Sequence, residues 1–313
     1  MVSSPLDNLQ DQIIGLRSQI LALEYQLASV RTPQKLPLPP FPVPAFATPF
    51  MPFSTCSVAD FLHPRFIEIC GLFNHPFFWQ RKLWEWVFVV HHLLDSGLVR
   101  PGCKGLVFGV GKERLPAFFA SMGAHIVATD APNAIAEKSG WKDSTQHVSA
   151  LSDFRYEDVV DGEIFDSHVS FQTCDMNAIQ PELNGFDFNW SSCCFEHLGS
   201  LEAGMQFVIN AVENTLRPGG IAVHTTEFNL SSNHDTVESG ETVIYRQRDI
   251  EELTQRLRDR GHIVKPFSVA PDSDYWDFHV DLPPYTRDPH LKFVLQQYVS
   301  TSAGLVIQRG NYL

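Results

Sequence analysis

The segment GLVFGVGKERLPAFFASMGAHIVATD, residues 105–130, constrains the fold more than any other part of the chain. An apolar run, Gly105–Phe108, leads into Gly109-Val110-Gly111. A helix then opens near Pro116, where proline fits a first turn, and a second apolar run, Ile126–Thr129, closes on Asp130. Glycine lets a backbone turn tightly and approach a ligand closely. An acid ending the second strand lies at the sheet's C-terminal edge, where it can accept hydrogen bonds from ribose hydroxyls.

The alternation continues. Further strands are expected at 168–173, 186–190, 221–225, 263–267 and 304–308, with helices near 63–74, 76–96, 115–122, 201–216 and 250–260. The fold class is therefore α/β: a Rossmann-like mixed seven-stranded sheet with helices on both faces. The glycine turn by itself does not choose a cofactor. A dinucleotide enzyme would carry glycine at the third position of G-x-G-x-x-G, where this chain has Arg114. That weakens a reading as an NAD(P)-dependent oxidoreductase.

Gly109 and Gly111, Asp130, the pair Asp175-Met176 and the turn Leu216-Arg217-Pro218-Gly219-Gly220 follow one another in an order that resembles the class I S-adenosylmethionine-dependent methyltransferases. FDFNWSSCCFEHLGSLEAG, 186–204, looks like that family's fourth strand and the loop beyond it. The resemblance implies S-adenosyl-L-methionine as cofactor. Asp130 would bind its ribose, Asp175 its adenine amino group, and Met176 would pack on the ring. Gly109 and Gly111 would line its methionine part, with Glu113 and Ser191 nearby. Two departures stand out: Val107 replaces the family's first acidic residue, and Glu113 its third glycine. FGVGKERLPAFFA, EHLGSLEAG and HTTEFN resemble a bacterial subgroup linked to glycan and polysaccharide assembly. The departures keep a non-catalytic adaptor with a degenerate cofactor domain open as an alternative.

Methyl transfer is an in-line displacement, so the enzyme must hold the acceptor about 3–3.5 Å from the methyl carbon and remove a proton when the acceptor is a hydroxyl. His197 is the first candidate base, because imidazole titrates near neutrality. Glu227 is the second, as base or acceptor-orienting group. In HTTEFN, strand alternation sends His224 and Thr226 to one side and Thr225 and Glu227 to the other. Glu196, His197, His224, Glu227 and Asp235 have no compact metal-ligand spacing, so no metal is assigned. Arg81 and Lys82 suit either a ligand anion or a solvated helix face. The aromatic and polar stretch 272–292 suits a sugar or an ordinary folded loop. The expected acceptor is a small molecule or glycan, bound through a hydroxyl.

Ahead of this domain, Leu6, Leu9, Ile13, Leu16, Ile20, Leu23, Leu27 and Val30 recur at alternating spacings of three and four. That is the a/d seam of a coiled coil, and it predicts a homo-oligomer formed through residues 6–30. The division expected is a coiled-coil helix over 1–31, a proline-rich linker over 32–56 and a methyltransferase domain over 57–313. Within that domain, N-terminal helices occupy 57–100, the cofactor-binding core 101–267, and a substrate-side insertion with the last strand 268–313. A net charge of −13 without a basic stripe argues against nucleic acid. No apolar run reaches the length of a membrane span. Six cysteines without paired spacing fit reduced thiols and a cytoplasmic location.

Overall fold

The structure, a computed structural model, describes residues 12–13, 15–23, 49–133, 135, 147–286 and 288–311. Four parallel pairings build its centre. Strands β1 (Lys104–Phe108), β2 (His125–Asp130), β3 (Val169–Thr173), β4 (Phe186–Ser192) and β5 (Leu216–Asn229) lie in the order β3-β2-β1-β4-β5. The order reverses between β1 and β4, and a crevice opens there beyond the strands' C-terminal ends.

Side chains along each strand alternate between two apolar cores. Val107, Trp190 and Val223 join one, beneath helices α1 (Val58–Leu62), α2 (Pro64–Leu72), α3 (Arg81–Asp95), α4 (Leu115–Ser121) and α5 (Gly162–His168). Leu106, Phe108 and Ala222 join the other, beneath α6 (Leu201–Asn210) and α7 (Gln247–Asp259). Helices therefore cover both faces, as the alternation predicts. The Gln80 side chain caps α3 by accepting from the Lys82 backbone N–H at 2.6 Å. Phe88 of α3 lies against Gly304, where a Cβ would come within 2.2 Å of its ring. That glycine lets the helix sit close to the sheet.

The second half of the sheet exceeds expectation. The sheet has nine strands among the described residues, not seven. β5 continues to Asn229, paired antiparallel with β9 (Tyr298–Gln308), and β6 is only Ile263–Val264. Two strands within the expected insertion, β7 (Val280–Asp281) and β8 (Lys292–Leu295), extend the sheet past β9. Their shortness and flanking prolines hid them from a periodicity reading.

The expected linker also ends too late at residue 56. Met51, Ser54, Thr55 and Cys56 are buried. Cys56 N–H donates to Ser302 O at 2.9 Å, and Gly304 N–H donates to Ser54 O at 2.7 Å. Proline density described the start of that segment but not its end.

The helical residues between 12 and 23 turn Ser18 and Ala22, one turn apart, toward the domain, with Ala22 against Val280, Val294 and Val299. The seam residues Ile13, Leu16, Ile20 and Leu23 point outward, 42–59% exposed. Leu6, Leu9, Leu27 and Val30 lie outside the described residues, as does the proline run up to residue 48.

The buried strap has a measurable consequence. A chain beginning at residue 57 should unfold in urea with about 3 kcal/mol less stability than one beginning at 49. It loses the burial of Met51 and Cys56 and exposes an edge of β9. Equal stabilities would return the strap to the linker.

Candidate active site

Gly109 and Gly111 adopt φ of +61° and +49°, a region costly for side-chain-bearing residues. At Gly109 a Cβ would also stand 2.6 Å from Cys194 Sγ. The turn so formed borders a groove of about 270 Å³ lined by Gly109, Asp130, Asp175, Met176, Cys194 and His197, among others. Past the same glycines, a second recess of about 230 Å³ is lined by Lys82, Trp86, Gly109–Glu113 and Ser192. The two recesses meet at Gly109 and together make one elongated site at the strand-order reversal.

Asp130 ends β2 inside the groove wall. Its Oδ2 accepts from the N–H groups of Gly111 and Val148, each at 3.3 Å, and its Oδ1 from Ala131 N–H at 2.7 Å. Burial raises its pKa, while these backbone donors pull the other way. A carboxylate oxygen has two lone pairs, so Oδ1 retains room for a ligand hydroxyl. Asp175 Oδ1 accepts from Asn177 N–H at 2.9 Å, which turns the chain after β3 and carries Met176 into the groove.

Glu113 stands in the second recess. Trp190 Nε1 donates to its Oε1 at 2.6 Å and Ser192 Oγ to its Oε2 at 3.1 Å. Burial pushes its pKa up to about 7 despite both donors.

Beside the end of β4 lies a buried ionic cage. Glu85 of α3, fully buried, is bound by Arg81 Nη1 at 3.1 Å and Lys82 Nζ at 3.2 Å. Thr225 Oγ1 donates to it at 3.1 Å, Ser302 Oγ at 2.5 Å and Cys193 Sγ at 3.0 Å. Burial opposes its charge, yet Lys82 and Arg81 hold its carboxyl below the usual range. Arg81 Nη2 also reaches Glu227 Oε1 at 2.7 Å. Burial lifts Glu227 to about 7 in spite of that guanidinium, and the like charges of Glu196 and Glu85 add to the rise. A proton acceptor poised near neutrality suits general base work.

Most of the residues singled out in the sequence converge here. Gly109, Gly111, Glu113, Asp130, Asp175, Met176 and His197 all line the elongated site. Ser191 does not. It is fully buried, with Oγ 2.8 Å from His224 Nδ1 on the other side of β4. His197 and Glu227 are also kept apart. His197 shares the groove with Asp175 and Met176, and its Nδ1 donates to the Glu241 carbonyl at 2.9 Å. Glu227 belongs to the cage. His224 is lowered to about 3 by burial alone and stays neutral, a core histidine.

Arg81 and Lys82 do not form a solvated helix face: both bind Glu85, and Lys82 also lines the second recess. Sequence reasoning missed Glu85 and Cys193. Glu85 lay on an otherwise apolar helix face, between Trp84 and Trp86, and that was its only signal.

No protein family matches the sequence, and no curated protein does. Similar solved structures exist. A putative sarcosine dimethylglycine methyltransferase from Galdieria sulphuraria is 11% identical, over 74% of this chain and 85% of that one, with a TM-score of 0.42. Phosphoethanolamine N-methyltransferase 2 from Haemonchus contortus, solved with S-adenosyl-L-methionine, is 13% identical over 71% and 52%, also at 0.42. TehB from Haemophilus influenzae is 14% identical over 70% and 61%, at 0.40. At these identities and scores, the chemistry has to be read from the site itself.

In that site the burial of Glu85 sets a firm expectation. Glu85→Gln keeps the shape but strands Lys82 and removes one of the two carboxylate partners of Arg81, so stability should fall by about 3–5 kcal/mol in urea unfolding. A loss below about 1 kcal/mol would mean that the cage is open to water.

Proposed function

We propose that the chain is an S-adenosyl-L-methionine-dependent methyltransferase acting on a small-molecule or glycan acceptor, through a hydroxyl. The observation that carries this is a single groove lined by Asp130, Asp175 and Met176 together with the bare Gly109 turn. A nucleoside fits such a wall: a carboxylate for the ribose, a second for the adenine amino group, and a thioether side chain for the ring face. The amino-acid end of the cofactor would extend past Gly109 into the second recess. There the Lys82 ammonium suits its carboxylate and Glu113 its ammonium, an assignment for which the missing third glycine makes room. The methyl carbon would then stand near Cys194 and Ser192, at the end of β4.

On the acceptor side Glu227 takes the role of base, in preference to His197, because His197 lies along the nucleoside wall. Arg81 holds Glu227 in place and keeps a fraction of it ionised near neutrality. The exposed Tyr275 and Tyr285 border the additional strands and suit a sugar face.

Isothermal calorimetry tests the reading. S-adenosylhomocysteine should bind, Asp130→Ala should weaken it at least tenfold, and NADH should give no signal. Because Glu113 must be ionised to attract an ammonium group, affinity should fall as pH drops below about 7, and Glu113→Gln should flatten that dependence. No heat from S-adenosylhomocysteine would refute the assignment and favour the adaptor alternative.

The outward seam of Ile13, Leu16, Ile20 and Leu23 supports self-association through the N-terminal helix. Light scattering on Leu16→Glu/Ile20→Glu should report half or less of the wild-type mass. An unchanged mass ends that proposal.

A further inference from the structure

Cys193, Glu196 and Glu227 are buried, and each offers a ligand atom within 4.8 Å of those of the other two. Glu196 Oε1 and Glu227 Oε2 are sealed from solvent without a hydrogen-bond partner. Leaving a buried acceptor bare costs on the order of 1–3 kcal/mol, and more when it is charged. The opposite oxygens are already committed: Thr226 Oγ1 donates to Glu196 Oε2 at 3.1 Å, and Arg81 binds Glu227 Oε1 at 2.7 Å. Both bare atoms are therefore held by fixed side chains.

Charge leads to the same place. Among the described residues, the ion pairs of Glu85 and Glu227 are with Arg81 and Lys82, so with all three carboxylates of Glu85, Glu196 and Glu227 ionised the cluster is short by one positive charge. Ionising the Cys193 thiol would make the shortfall two. One divalent ion balances it.

We infer that Cys193, Glu196 and Glu227 form a binding site for a divalent transition metal of the zinc type, ligated by the thiolate and the two bare carboxylate oxygens. Hard ions such as magnesium and calcium take oxygen alone, whereas zinc, cobalt and ferrous iron accept sulfur and oxygen together. Binding exchanges the Sγ–H bond for an Sγ–metal bond and releases the proton to solvent. Three protein ligands leave a fourth position for water or a ligand oxygen. Arg81 acts here as a positioning residue, since its grip on Glu227 Oε1 turns the other oxygen toward the ion. Cys193 stands between Ser192 and Cys194, each of which lines one of the two recesses. The inference does not rest on the methyltransferase reading and survives its failure; with the ion bound both Glu227 oxygens are committed, so it replaces the general-base role proposed for Glu227.

Cobalt titration of the full chain, first stripped with a chelator, tests it. One equivalent of Co²⁺ should bind with a thiolate-to-cobalt charge-transfer band, and Zn²⁺ should displace it. Cys193→Ser should abolish the band, Glu196→Gln should weaken binding at least tenfold, and Cys194→Ser should leave it intact. X-ray absorption on the zinc-loaded wild type needs no variant. It should show one sulfur at about 2.3 Å and the remaining ligands oxygen at about 2.0–2.2 Å. No bound metal, a band that survives Cys193→Ser, or a shell without sulfur would each overturn the site.

Discussion

The carboxylate of Glu85 is the interaction on which the site's architecture depends. It sits on α3, a helix that otherwise buries Leu83, Trp84, Val87 and Phe88, and it is as deeply buried as they are. An isolated carboxylate there would cost several kcal/mol. The cost is offset because partners converge from the helix itself, from the end of β4 through Cys193, from β5 through Thr225 and from β9 through Ser302. Those partners fix the position of α3 along the strand ends. Apolar packing alone would allow the helix to slide by a fraction of a turn; a charge with this many fixed donors does not. The Lys82 and Trp86 side chains that line the second recess are placed as a consequence.

The groove depends on a different constraint, one of backbone and not of charge. Left-handed φ at Gly109 and Gly111 bends the chain away from the crevice between β1 and β4, and the missing Cβ at Gly109 leaves Cys194 in contact with bare backbone. Asp130 in turn holds the bend, because its Oδ2 accepts from Gly111 N–H. The same carboxylate that borders the cavity thus stabilises the turn. A ligand at that carboxylate and the shape of the turn are linked through shared atoms.

This division explains what was legible in the sequence. The glycine turn, Asp130 and the strand–helix alternation are local signals, each set by a few neighbouring residues, and the structure keeps them together. Asp175 and Met176 were placed by the resemblance to the methyltransferase motif order. Alternation also sorted β5 correctly: Thr225 and Glu227 face α3, while His224 and Thr226 turn to Ser191 and Glu196. The cage was not legible, since Glu85, Cys193, Glu227 and Ser302 are far apart in the chain and meet only once α3 docks. Ser191 was misplaced for a related reason. Proximity to the end of β4 located it along the strand but did not say which face it takes, and it takes the His224 face. Strands β7 and β8 are too short for a period to show, and the buried strap at 50–56 follows a proline run that masks it.

The end of β4 joins the two halves. Ser191 faces His224 and Ser192 faces Glu113, as alternation requires. Continued alternation would send Cys193 to the His224 side. Instead Cys193 adopts φ of +50°, a left-handed conformation costing about 1–2 kcal/mol in a residue with a side chain, and its thiol turns back toward Glu85. The surroundings enforce it: Cys193 N–H is held by Thr225 O and by Thr225 Oγ1, both at 3.1 Å. Such strain persists only where neighbouring contacts over-determine it. Its effect is to put consecutive residues to separate uses, with Cys193 in the cage and Cys194 against the Gly109 turn. One strained residue therefore joins the cage to the wall of the groove.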